Sequence, residues 1–195
     1  MSEFTVRQLG PETWDAFADL VERNGGIFGG CWCIGFHAER GQRGIDHREA
    51  KKARVFTDRA HAALVFDSEG KAQGWCQYGS VEELPKIKHR VQYEKEPPQV
   101  PTWRTACCFV DKHHRGQGIL RLAVGGALEQ IARRGGGRVE TIAETVTGRE
   151  AHGRFLFTGT AELFEDHGFH RVRQVGKHAW ILNKQVEPAP LAEAA

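Results

Sequence analysis

The chain predicts a mixed α/β domain organised around one central sheet, and three observations point to this class. Short apolar runs at 62–67, 73–79 and 103–110 have the length of strands. Stretches with apolar residues at helical spacing alternate with them. The run at 103–110 passes through a glycine turn into a long amphipathic segment, which is the pattern of a strand feeding a helix.

Taken in order, residues 4–9 alternate as a first strand, and Gly10-Pro11 punctuates with proline well placed for a first helical turn. Trp14, Phe17, Ala18 and Val21 recur on one helical face until Asn24-Gly25-Gly26 stops the helix. Residues 29–44 are glycine-rich yet carry Cys31-Trp32-Cys33 and Phe36, a heavy load for a plain linker. Asp46 with Glu49 forms a capping-box pattern ahead of a basic helix reaching about residue 59. Residues 62–67 and 73–79 pair as a hairpin around Ser68-Glu69-Gly70. Residues 85–101 read as a long irregular connection containing Pro97-Pro98. The strand at 103–110 follows, then a helix from 119 to about 134 with Leu120, Val124, Leu128 and Ile131 in one stripe. Gly135-Gly136-Gly137 ends it before a strand at 138–145. A last helix at 160–167 closes on Gly168 as C-cap, and strands at 169–175 and 178–182 finish the sheet. Residues 1–186 are expected to form one domain and 187–195 a disordered tail.

Composition bounds the function. Hydrophobic residues at 40% and charged residues at 27% are ordinary for a globular chain and exclude a disordered one. No apolar run approaches the ~20 residues of a membrane helix, so no membrane partner is expected. The N-terminus lacks a basic segment followed by an apolar one, which argues against a signal peptide. Five cysteines cannot all pair within the chain, so a reducing, cytoplasmic setting is expected. A net charge of +2 gives no argument for nucleic acid.

The stretch carrying the chemistry is Thr105-Ala106-Cys107-Cys108-Phe109-Val110-Asp111-Lys112-His113-His114-Arg115-Gly116-Gln117-Gly118-Ile119. The first amides of a helix have no intrahelical acceptor, and the helix dipole adds positive charge there. Gly116 and Gly118 let backbone approach a phosphate closely, which makes the turn a pyrophosphate cradle. Glycines that merely shape the turn are the plainer reading of so short a motif. There is no Gly-x-x-x-x-Gly-Lys-Ser/Thr for a P-loop, and Arg121 stands where a dinucleotide fingerprint needs its third glycine.

With these residues the sequence resembles the GNAT superfamily of N-acetyltransferases, whose signature is Gln/Arg-x-x-Gly-x-Gly/Ala at this strand–turn–helix. The match is His113-x-x-Gly116-x-Gly118, with His113 departing from the usual residue at a position where backbone amides do the binding. The element order and Leu163-Phe164-Glu165-Asp166-His167-Gly168-Phe169 extend the likeness over residues 4–184. The resemblance implies a GNAT fold with splayed central strands and acetyl-CoA as acyl donor. It implies that backbone groups of Phe109 and Val110 pair with the pantetheine arm. Amides from Arg115, Gly116, Gln117, Gly118 and Ile119 would take the pyrophosphate, and the thioester would lie between the splayed strands.

Direct transfer to an amine calls for a base. Many relatives place a glutamate in the strand corresponding to Trp103–Val110, and none is present there. Glu140 and Glu144 share one face of the next strand with Ile142, and Glu144, nearer the strand end, is the favoured base. A solvated strand-end carboxylate is its plainer reading, and Glu82 and Glu83 are weaker candidates. Relatives often use a tyrosine in the last helix as general acid, and the aligned residue here is Phe164. Cys31, Trp32, Cys33 and Trp75 are expected to border the acceptor, with packing into the core as the plainer alternative. The Cys-x-Cys spacing of Cys31 and Cys33 does not suit zinc together with His37 and Cys76, so no metal is expected. His113-His114 diverge in regular structure and would not share one either.

The sequence therefore predicts an acetyl-CoA-dependent N-acetyltransferase acting on a primary amine, a small molecule before a protein. A non-catalytic acyl-CoA-binding or regulatory domain is the rival, supported by Phe164 and the missing strand glutamate. Monomer and homodimer both remain open.

Overall fold

The computed structural model describes residues 4–148, 150–151 and 153–190. Seven strands form one sheet: β1 (Thr5–Gln8), β2 (His61–Phe66), β3 (Ala72–Ser80), β4 (Trp103–Val110), β5 (Gly137–Glu144), β6 (His170–Gln174) and β7 (Ala179–Val186). Their order is β1-β2-β3-β4-β5-β7-β6, antiparallel throughout except for the parallel pair β4–β5. The helices are α1 (Trp14–Arg23), α2 (His47–Phe56), α3 (Arg90–Lys95), α4 (Ile119–Arg133) and α5 (Ala161–Asp166).

Every residue of β2 is buried, as expected of a strand covered on both faces. One face carries Leu64 and Trp75 against Trp14, Phe17, Val21 and Val55 of α1 and α2. The other carries Ala63, Val65 and Cys76 against Ala123, Val124, Ala127 and Ile131 of α4 and Phe164 of α5. The stripe of α4 is thus centred on small residues, which lets the helix lie close to the sheet. Gly126 makes this plain, since a Cβ there would overlap the side chain of Val6.

The helix signals hold. The side chain of Asp46 accepts from the amide of Glu49 at 3.0 Å, and Gly168 adopts φ +81 beyond α5. Two boundaries differ from expectation. The connection at 85–101 contains the six-residue α3, whose Tyr93 is pinned by a tertiary contact to Glu140 that no local pattern announces. The segment expected to be disordered begins with ordered backbone: the amide of Ala189 donates to the carbonyl of Ala132 at 2.8 Å at the end of α4. Residues 191–195 lie outside the described residues.

Candidate active site

The strand pair β4–β5 is where the sheet opens. Only Trp103↔Val139 and Arg104↔Glu140 are in register, and beyond them the strands part. On its other edge β4 keeps pairing with β3, through an irregularity between Cys76 and Tyr78 that sets two residues of β4 against one of β3. The amide of Asp111 donates to Gln73 in β3, while that of Cys108 faces the opening. By the alternation of an antiparallel strand, peptide groups of Cys108 and Val110 face the opening and those of Phe109 face β3.

Immediately after β4 the chain turns through a 3-10 turn at Lys112–His114 into the start of α4. Gly116 and Gly118 have φ +76 and +78, the left-handed region that glycine enters without strain. A Cβ at either position would meet nothing within 4 Å, so the glycines serve backbone conformation and leave open space above it. Residues 115–118 are exposed, whereas Ile119 is buried against β3. The amide of Leu122 bonds back to Gly118, leaving those of Ile119, Leu120 and Arg121 without a helical acceptor. Gly74 sets this geometry from below: a Cβ on it would stand 2.7 Å from both Ile119 Cγ2 and the carbonyl of Phe109.

A buried aspartate that sequence reasoning passed over fixes the turn. Asp111 Oδ2 accepts from Asn24 Nδ2 at 3.0 Å and Arg23 Nε at 3.1 Å, and Oδ1 accepts from the amide of His113 at 2.9 Å. Burial would raise its carboxyl, but Asn24, the His113 amide and the Arg23 guanidinium hold it at about 2. The signal in the sequence was an aspartate directly after an apolar strand; its partners at the end of α1 lie 87 and 88 residues away.

On the α1–α2 side of the opening lies a narrow cleft whose walls include Phe36, Leu84, Lys86, Lys88, Arg104, Glu140 and Thr158. Glu140, Ile142 and Glu144 share this side of β5, while Val139 and Ala143 pack on the α4 side. Glu140 accepts from Tyr93 Oη at 3.0 and 3.1 Å and from Arg104 Nε at 3.3 Å. Burial pushes its carboxyl up, against the pull of Arg104 and Tyr93. Glu144, expected as the base, is nearly buried and accepts from Lys88 Nζ at 2.6 Å, with His89 Nε2 at 3.9 Å. Tyr93, Arg104 and Lys88 had no role in the sequence reading, because each reaches the site from a distant stretch of chain.

The four residues expected at the acceptor sit deeper than that role suggests. Trp32, Cys33 and Trp75 are buried in the core, and only Cys31 is partly accessible. Trp32 stacks on Trp14 with ring centroids 6.1 Å apart, and Trp75 Nε1 donates to Cys33 Sγ at 3.2 Å. The glycine-rich loop is held by these aromatics, in line with the cost of leaving them in water. Cys76 lies on the opposite face of the sheet from Cys33, beside Cys108 with 3.7 Å between the sulfurs. Phe164, aligned with the family's tyrosine, is fully buried against Phe169 and brings no hydroxyl. Tyr78 is buried in the α4-side core, stacked on His61, with its hydroxyl pushed up to about 12 by burial.

No protein-family model matches the chain, and no curated protein sequence matches it. Solved structures do. A histone acetyltransferase HPA2 and related acetyltransferase from Corynebacterium glutamicum superposes with TM-score 0.52 at 17% identity over 100% of both chains. A GNAT family N-acetyltransferase from Escherichia coli in complex with CoA gives 0.51 at 15% identity over 95% of this chain and 83% of its own. A GNAT superfamily phosphinothricin acetyltransferase from Sinorhizobium meliloti in complex with AcCoA gives 0.55 at 10% identity over 94% and 89%. Identities this low speak of architecture. The opened β4–β5 pair, the glycine turn into α4 and these superpositions together make this chain a protein of the GNAT fold.

Proposed function

We propose that the protein is an acetyl-CoA-dependent N-acetyltransferase that passes the acyl group directly to a primary amine of a small molecule. The observation that carries this is the pair of open, left-handed glycines, Gly116 and Gly118, at the start of α4 beside the divergence of β4 from β5. The residues present fit the cosubstrate: the exposed turn has free amides and no side chain where a pyrophosphate would rest. Arg115, Gly116, Gln117, Gly118 and Ile119 bind the pyrophosphate through their amides, and Val110, whose peptide groups face the opening, lines the pantetheine path; Phe109, expected to share that pairing, turns its peptide groups to β3 instead. When bound, acetyl-CoA supplies an acyl group activated for attack by nitrogen.

The chain's own groups handle the acceptor. Glu144, lying across the opening from β4, takes the proton of the incoming ammonium once Lys88 turns aside. The described walls of the cleft carry Lys86, Lys88 and Arg104 beside Glu140, with Lys88 also paired to Glu144, so positive charge is in excess there. An amine that also carries an acidic group suits that balance. The burial of Phe164 and the missing tyrosine in α5 favour a second reading, an acyl-CoA-binding domain without turnover.

Two measurements separate these readings. Acetyl-CoA should stabilise the folded protein, and Gly118→Asp should abolish that binding while Gly118→Asn weakens it less. Both side chains tolerate the left-handed conformation, so the difference isolates the charge placed against the pyrophosphate. Equal binding by a folded Gly118→Asp variant would discard the assignment. Free-thiol release from acetyl-CoA across amino acids and their amides then reads turnover. Release with none of the amines favours the binding domain.

A further inference from the structure

Residues 145–160 join β5 to α5, a long connection for a compact domain and of the length that usually carries function. Its end does not lie on the surface. Residues 155–160 run into the opening between β4 and β5 and bridge it from both sides. The carbonyl of Phe157 accepts from the amide of Cys108 at 2.6 Å, and Thr160 forms a parallel bridge with Glu144. Counting forward from the Arg104↔Glu140 pair brings Cys108 level with Glu144, so this strap sits where the two strands would have paired had they not diverged. Thr158 and Gly159 are buried there.

The strap is held by contacts of its own. Lys88 Nζ donates to the carbonyl of Phe155 at 3.2 Å and lies 5.2 Å from the centroid of the Phe157 ring. That ring packs against Phe28 and Phe36 at 5.9 and 6.1 Å. At the other end of the connection, Glu162 of α5 takes the amide of Val146 at 3.0 Å and the hydroxyl of Thr145 at 2.6 Å. Both ends are therefore anchored. The Phe157 carbonyl occupies a strand amide that faces the opening, and an extended ligand pairing along β4 would need that same amide.

We infer that residues 155–160 are a resident strap on the acyl site, released from the Cys108 amide when the pantetheine arm enters. The inference rests on the acyl-CoA reading above and adds a competition built into the chain. Binding the cosubstrate and closing the strap exclude each other, so apparent affinity is scaled by the fraction of molecules with the strap open. A strap closed about nine-tenths of the time weakens binding about tenfold.

Amide hydrogen exchange with and without saturating acetyl-CoA tests this. Residues 115–121 should exchange more slowly with the cosubstrate, while residues 155–160 exchange faster. Slower exchange at 115–121 with unchanged or slower exchange at 155–160 overturns the strap and leaves the acyl-CoA reading standing. No change at 115–121 overturns that reading, and the strap with it. Independently, Phe157→Ala, which removes the ring anchor from a half-buried site, should tighten acetyl-CoA binding about three- to tenfold. Equal or weaker binding by the folded variant overturns the proposal.

Discussion

Arg23 at the end of α1 reaches Asp111 at the end of β4, with Nε 3.1 Å from Oδ2. The same guanidinium donates through Nη2 to Gln73 Oε1 at 2.9 Å, so one side chain ties α1, β3 and the start of the glycine turn together. The turn's conformation is thus a tertiary property. Asp111→Asn keeps the shape but takes the buried carboxylate from Arg23, which then retains only the exposed one of Asp19. An aspartate held at about 2, against about 4 when unfolded, contributes on the order of 2 kcal/mol at neutral pH. Its folded value is depressed, so that stability is present above about pH 4 and is lost as pH falls toward 2. Denaturant titration of the variant should show this loss at pH 7 and convergence with the parent near pH 2. Equal stability at pH 7 would remove Asp111 as the anchor.

His37 gives a second pH dependence, of the opposite chemistry. It is buried, with Nδ1 2.8 Å from the carbonyl of Glu83 and Nε2 2.8 Å from Gln77 Nε2 and 3.4 Å from Lys51 Nζ. Burial, then the charges of Lys51 and Arg54, bring it down to about 2, so the folded protein holds it neutral. The unfolded chain takes up the proton near 6.5, hence stability is complete above that pH and declines below it by about 1.4 kcal/mol per unit. His89 and His167 are lowered too and add the same sign. His37→Gln should flatten the decline between about pH 6.5 and 4.5. An unchanged slope in that window would show that His37 is not its source.

The cluster around Trp32 makes a stability prediction. Trp32 stacks on Trp14, meets Phe17 edge-on at 6.3 Å and is covered by the Arg48 guanidinium. Trp32→Ala should cost about 3–5 kcal/mol, read as an earlier thermal or denaturant midpoint. If the residue also bordered the acceptor, the acceptor KM would rise in the folded variant with acetyl-CoA binding unaltered. Loss of stability with the parent KM would leave Trp32 a core residue alone.

For Glu144 the expected readout is turnover. Glu144→Gln should lower kcat by about 10²–10⁴-fold if the carboxylate is the amine's base, with acetyl-CoA affinity nearly unchanged. A rate within about twofold of the parent across pH, about 0.4 kcal/mol in barrier, would eliminate it. Glu140 is then the next carboxylate to test, since it faces the same cleft.

The sequence by itself determined the elements and the glycine turn that leads into α4. Apolar runs, helical spacing and glycine punctuation located every strand and all helices but α3, because these signals are local and each element carries its own. The glycines at 116 and 118 were legible for the same reason: their backbone requirement is written in residue type. What the tertiary structure decided is where distant side chains meet. Arg23 with Asp111, Tyr93 with Glu140 and Lys88 with Glu144 are separated by 88, 47 and 56 residues, and no periodicity encodes such pairings. Trp32 and Trp75 looked equally suited to a cleft or a core, since an aromatic on a glycine-rich loop must be buried in either. Only the packing of α1 and β3 around them chose the core. The strap was hidden for a related reason: the carbonyl of Phe157 is backbone, which every residue possesses, and its partner Cys108 became available only when β4 and β5 diverged.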